Sequence, residues 1–214
     1  MRRSIVQALL VKTCVTFACC GLVPGLLQGS DNRPVIVAFG DSLTAGYGLA
    51  PGESYPDCLQ KLLDQRGLRY RVVNQGISGD TTSVGAARVK QALQVKPAIV
   101  ILEFGANDGL RGLPLAPARA NLAAMIDEFR KSGAKVLLAG ITLPRNYGPD
   151  YIHAFEKIFS DLAREKHVAF MPFLLEGVAT NPKLMQSDGL HPTAEGARRV
   201  AAAVMRYLQP MLKK

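Results

Sequence analysis

From Val35 onward the chain alternates short continuous apolar runs with longer stretches in which apolar residues recur every three or four positions. Five runs read as strands: PVIVAFG, RYRVVNQG, PAIVILEFG, AKVLLAGIT and VAFMPFL. Helical periodicity covers Tyr55–Gln65, Ser83–Gln94, Ala116–Lys131, Tyr151–Glu165 and Thr193–Leu208. Unbroken Val, Ile and Leu in a strand means that both faces are covered, and regular strand–helix alternation means crossovers onto a parallel sheet. The pattern predicts one α/β domain over residues 33–214, a three-layer α/β/α sandwich around a five-stranded parallel sheet. No internal repeat or second core interrupts it.

The first segment departs from this pattern. MRRS is basic, and the apolar, small-residue stretch that follows lacks acids, which reads as a signal peptide over residues 1–29 and a periplasmic or secreted protein. Lys12 breaks the apolar run below the ~20 residues of a spanning helix, so a retained membrane anchor is the alternative rather than the first reading. Cys14, Cys19 and Cys20 lie in this leader, leaving Cys58 alone in the domain, where it cannot form an internal disulfide and reads as a small buried hydrophobe.

The net charge of +9 raises the question of nucleic acid, but Arg2, Arg3 and Lys12 supply three of those charges. The other cations are scattered, with no basic run interleaved with aromatics, so a solvated surface without nucleic-acid binding is expected, with peripheral contact to membrane lipid left open. No metal motif occurs, and His153, His167 and His191 are too dispersed for a cluster. Neither metal nor cofactor is expected, and the chain reads as a monomer.

Chemistry concentrates where parallel sheets place their ligands, just past the strand ends. These read FGDSLTAG, NQGISGDTT, EFGANDGLRG and ITLPRNYG, with SDGLHP before the last helix. Acyl transfer by serine needs a nucleophile, a base, a group to orient the base, and donors for the oxyanion. Ser42 offers the hydroxyl. His191 offers the base from a turn-rich loop, and Asp188, three residues earlier, can fold back onto its Nδ1–H. Pro192 disfavours helical backbone at His191 and suits the start of the next helix. Ser42 opens a helix and so offers its own N–H, Gly79 offers another with no Cβ in the way, and Asn107 offers a side-chain NH₂. Taken singly, Gly79 and Asn107 also read as turn residues.

FGDSL, GISGDT, GAND and DGLH resemble the four blocks of the GDSL esterases, also called SGNH hydrolases. Ser42, Gly79, Asn107 and His191 match the naming residues and Asp188 the triad acid. The likeness runs through the chain after the leader, and ITLPRNYGPDYIHAF and NDGLRGLP resemble an exported bacterial subgroup of thioesterases, lysophospholipases and arylesterases. It implies a flavodoxin-like strand order, a periplasmic home and hydrolysis of acyl esters and thioesters.

Other readings fit less well. A GxSxG elbow would need Gly where Thr44 stands, and GYGLAPG is not a dinucleotide fingerprint. A carbohydrate O-acetylesterase of the same family is the alternative substrate class. A catalytically silent binding module on this fold would be expected to have lost Ser42 or His191. Glu103 reads as a hydrogen-bonded structural acid inside a strand, Asp41 and Asp108 as braces for the loops, and His153 and His167 as surface residues. An acyl chain would be lined by Ile77, Leu110, Leu143 and Pro144, each of which is also a plausible packing residue.

Overall fold

The computed structural model describes residues 31–213. The leader expected over residues 1–29 lies outside the described residues. Five parallel strands form one sheet: β1 (Val35–Gly40), β2 (Arg71–Gly76), β3 (Pro97–Glu103), β4 (Lys135–Ala139) and β5 (Ala169–Met171), in the order β2-β1-β3-β4-β5. This is the expected flavodoxin-like order, and its winding reverses between β1 and β3. Helices α2 (Tyr55–Gln65) and α7 (Ala194–Leu208) pack together, as do α3 (Thr82–Leu93), α5 (Leu115–Lys131) and α6 (Pro149–Lys166). These two groups sandwich the sheet, and all of β1 is buried between them.

Two differences from the sequence reading have local causes. β2 is an edge strand, so its Val72 and Val73 are only half-buried although the apolar run predicts full cover. β5 stops after three residues because Pro172 has no N–H to continue a ladder. Two short helices follow directly on strands: α1 (Ser42–Ala45), the expected helix at Ser42, and α4 (Ala106–Leu110), which is too short to show a period.

The end of β1 is locked to the end of β3 by a buried acid. Gly40 pairs with Glu103, and a Cβ on Gly40 would fall 2.5 Å from Glu103 Oε2 and collide with Thr44 Oγ1, so only glycine lets the carboxyl cross here. Glu103 Oε2 accepts the Asp41 N–H at 3.2 Å and the Thr44 hydroxyl at 2.8 Å. Asp41 in turn caps α1, its Oδ1 accepting the Leu43 N–H at 3.1 Å. Both acids are fully buried. Burial pushes Asp41 up to about 6, and burial together with the neighbouring Asp41 charge pushes Glu103 well above the carboxylate range. At neutral pH Glu103 therefore holds a proton and Asp41 carries the charge.

This arrangement sets a sign for stability against pH. The folded chain keeps a carboxyl proton that the unfolded chain releases near pH ~4, so this pair costs nothing at lower pH and destabilises as pH rises through Asp41's value of about 6. The loss is at most about 1.4 kcal/mol per pH unit for each such group. Glu103→Gln, which keeps the neutral shape without a titrating proton, is expected to decline less steeply than the parent in urea midpoint between pH 4.5 and 7.5. Parallel curves for the two proteins would show that Glu103 is not the proton holder.

Candidate active site

The carboxyl edge of the sheet gathers the sequence-predicted residues. α1 begins immediately after the β1 turn and presents Ser42, whose Oγ lies 2.9 Å from His191 Nε2. His191 Nδ1 lies 2.7 Å from Asp188 Oδ2. With Nδ1 donating to the carboxylate, Nε2 is left as the acceptor for the serine proton. Asp188 Oδ1 also accepts the backbone N–H groups of Leu190 at 2.9 Å and His191 at 3.0 Å. Partial burial would raise the Asp188 carboxyl, but these hydrogen bonds, that from His191 foremost, outweigh it and hold Asp188 below its ordinary value. It therefore stays ionised beside the base.

His191 sits on a tightly pinned loop. Gln186 N–H donates to the His191 carbonyl at 2.7 Å, Thr193 N–H donates to Leu184 O at 2.8 Å, and Met185 bridges Pro192. The Gln186 side-chain amide donates to Tyr47 O at 2.7 Å and Pro192 O at 2.9 Å, joining this loop to the segment after α1. The Tyr47 ring covers the imidazole at 4.7 Å between centroids. Neither Gln186 nor Tyr47 was legible in sequence, because both act across a gap of more than a hundred residues.

The three expected oxyanion donors occupy successive strand ends. The N–H groups of Ser42 and Gly79 have no acceptor among the described residues. Gly79 has φ of +86°, a conformation that favours glycine, and its carbonyl accepts from Arg111 Nη2 at 3.0 Å. Asn107 Nδ2 donates to Asp41 Oδ2 at 3.1 Å and to Asp80 O at 3.0 Å, so both of its N–H bonds are engaged. Asp108, beside it on α4, accepts the Thr82 N–H at 2.8 Å and the Thr82 hydroxyl at 2.7 Å, capping the start of α3. That is the bracing role expected for it. Glu103 and Asp41 are likewise hydrogen-bonded inside the fold, while His153 and His167 are exposed on α6 and at its end.

The four proposed acyl-lining residues are not equivalent. Ile77 is half-exposed in the same loop as Gly79, and Leu110 and Pro144 are partly buried. Leu143 is buried against Gly109, where it packs the loops together. None of the four lines the narrow cleft beside Ser42 and His191, whose walls are Leu43, Tyr47, Leu174, Leu175 and Val200 among others.

A further polar residue at the site escaped the sequence reading. Arg88 on α3 is largely buried beneath the strand ends, its Nε 2.7 Å from Asp80 Oδ2. Helical spacing was the available signal: Gly85, Val89 and Ala92 form the buried face of α3, and Arg88 falls on it.

The family model for GDSL-like lipases and acylhydrolases matches residues 38–199. The esterase TesA of Pseudomonas aeruginosa is 42% identical over 207 residues, covering 96% of this chain and 100% of that protein. The thioesterase 1/protease 1/lysophospholipase L1 of Escherichia coli strain K12 is 37% identical over 178 residues, 83% of this chain and 84% of that one. A crystal structure of TesA matches with a TM-score of 0.80 at 45% identity, covering 84% of this chain and 100% of the other. With its parallel sheet and GDS turn, this chain belongs to the GDSL-like lipase/acylhydrolase family.

Proposed function

We propose that the chain hydrolyses carboxylic esters and thioesters of acyl chains through Ser42, His191 and Asp188. The observation that carries this reading is the continuous line Ser42 Oγ, His191 Nε2, His191 Nδ1, Asp188 Oδ2, with links of 2.9 and 2.7 Å. Names of the relatives, esterase and thioesterase/lysophospholipase, support the substrate class.

In the proposed reaction His191 Nε2 takes the Ser42 proton as Oγ attacks the acyl carbonyl carbon. The resulting oxyanion accepts from the Ser42 and Gly79 N–H groups. Asn107 joins them by releasing Asp80 O, since an anionic acceptor outcompetes a neutral carbonyl. Collapse breaks the bond to the alcohol or thiol, which leaves with the proton from His191. Water then attacks the acyl-enzyme with His191 again as base, and the free acid departs. Asp188 stays ionised throughout and stabilises the imidazolium in both steps.

The acyl chain is assigned to the open surface across Ile77, Leu110 and Pro144, with Leu143 packed beneath. The Tyr147 hydroxyl donates to Leu110 O at 2.7 Å and fixes one side of that surface to the other. Residues 1–29, basic and then apolar, support export to the periplasm. No helix among the described residues is long and apolar enough to cross a membrane.

Ser42→Ala is expected to lower kcat by several orders of magnitude while its unfolding midpoint matches the parent. Ester hydrolysis by that variant at the parent's rate would remove Ser42 from the role. A series of p-nitrophenyl esters graded by acyl length, run beside acyl-CoA, lysophospholipid and acetylated sugars, tests the substrate class. Each CH₂ buried on the assigned surface gains ~0.8 kcal/mol, so kcat/KM is expected to rise by up to about fourfold per CH₂ over short chains. The same trend is expected for thioesters. Activity restricted to acetylated sugars would instead assign the chain to carbohydrate O-acetyl groups.

A further inference from the structure

We propose that Arg88 is a positioning residue for the Ser42 and Gly79 oxyanion donors, an inference that rests on the roles assigned to them above. Its side chain is 12% exposed, and its guanidinium is held in a single orientation by three acceptors. Nε donates to Asp80 Oδ2 at 2.7 Å, Nη1 to Gln75 O at 2.9 Å and Nη2 to Gly40 O at 2.8 Å. The plane also lies over the Phe39 ring, 4.3 Å from its centroid, and near Phe104 at 5.4 Å.

These acceptors belong to three different segments: the end of β1, the end of β2 and the loop after β2. Each leads to an oxyanion donor. Gly40 stands two residues before Ser42, and its carbonyl also accepts the Ile77 N–H at 3.1 Å, tying the oxyanion loop to the nucleophile strand. Asp80 follows Gly79 directly, and the Asp80 carbonyl receives Asn107 Nδ2. One side chain therefore fixes the relative placement of backbone that sequence separates by some forty residues. Lysine would keep the charge but not the three fixed in-plane directions. Burying a cation here is costly compared with an apolar residue of similar volume, and fold stability alone would favour the apolar one. What the arginine adds is geometry at the donors.

The test compares Arg88→Lys with the parent on one p-nitrophenyl ester. Losing an oxyanion donor outright costs about 10²–10³ in kcat, so displacing donors that remain present is expected to cost roughly 10–100-fold. KM should stay within about twofold, because the ground-state carbonyl makes little use of these donors. The inactivation rate constant with a p-nitrophenyl alkylphosphonate, which forms a tetrahedral adduct on the serine, should fall in parallel with kcat. A lower unfolding midpoint with unchanged kcat per folded molecule, or a change confined to KM, would show Arg88 to be only a packing residue. Should Arg88→Lys fail to fold, Asp80→Asn keeps the shape and weakens the same link, and the same kcat-specific loss is expected; an unchanged kcat there overturns the inference. Full activity in Ser42→Ala would defeat the reading of the site itself. An inactive Ser42→Ala beside an unimpaired Arg88→Lys would defeat this inference alone.

Discussion

Parallel pairing of β1 with both β2 and β3 is the constraint on which the site depends. Parallel neighbours can only be joined by crossovers, so every strand must finish at the same edge, and the loops after β1, β2 and β3 meet there. The winding reverses between β1 and β3, so the chains leaving these two strands diverge and open a crevice at their ends. Ser42 follows β1, Gly79 follows β2 and Asn107 follows β3 at that edge. A strand order without the reversal would have filled the same position with a crossing chain.

Placing functional loops side by side creates a second problem, which the chain meets with buried polar groups. Loop backbone carries donors and acceptors with no ladder to join, and each must find a partner when covered. Here the partners are side chains from the elements behind. Glu103 takes the Asp41 N–H, Asp108 takes the Thr82 N–H, Arg88 takes the carbonyls of Gly40 and Gln75, and Asn74 takes Thr44 O. The same hydrogen bonds that satisfy the loops also fix them. In the proposed reaction the Ser42 and Gly79 N–H groups, placed before substrate arrives, would need little reorganisation as charge develops.

Sequence carried the fold because its signals are local: Val35–Phe39 and Pro97–Leu102 are unbroken apolar runs, and α2 is bounded by a serine cap and its period. The candidate triad and oxyanion residues were legible for a related reason. Each sits in a short turn-rich block whose position relative to a strand end can be read without knowing the tertiary arrangement. Three features were not legible. The third dimension alone brings Gln186 to Tyr47, the five-residue α4 is below the length at which a period shows, and Leu143 turns inward onto Gly109 rather than toward the open surface. Arg88 was within reach, because a cation on the apolar face of α3 is a conflict between charge and position. Such conflicts are where a sequence departs from what packing alone would choose.

The engagement of Asn107 shows how the two buried charge systems divide their work. Its amide is gripped on one side by Asp41, charged, fully buried and itself held by α1, and on the other by the carbonyl of Asp80. A hydrogen bond to a buried carboxylate is the stronger of the two, so in the proposed reaction an oxyanion would displace the carbonyl and leave the carboxylate contact as a pivot. Asp41 can serve in this way only while ionised, and Glu103 makes that possible by holding the proton the pair would otherwise contest. The neutral acid under β1 and the charged one beside it thus act together: the first keeps the second anionic in a place where burial alone would neutralise it, and the second holds the amide that the proposed reaction would turn toward the oxyanion.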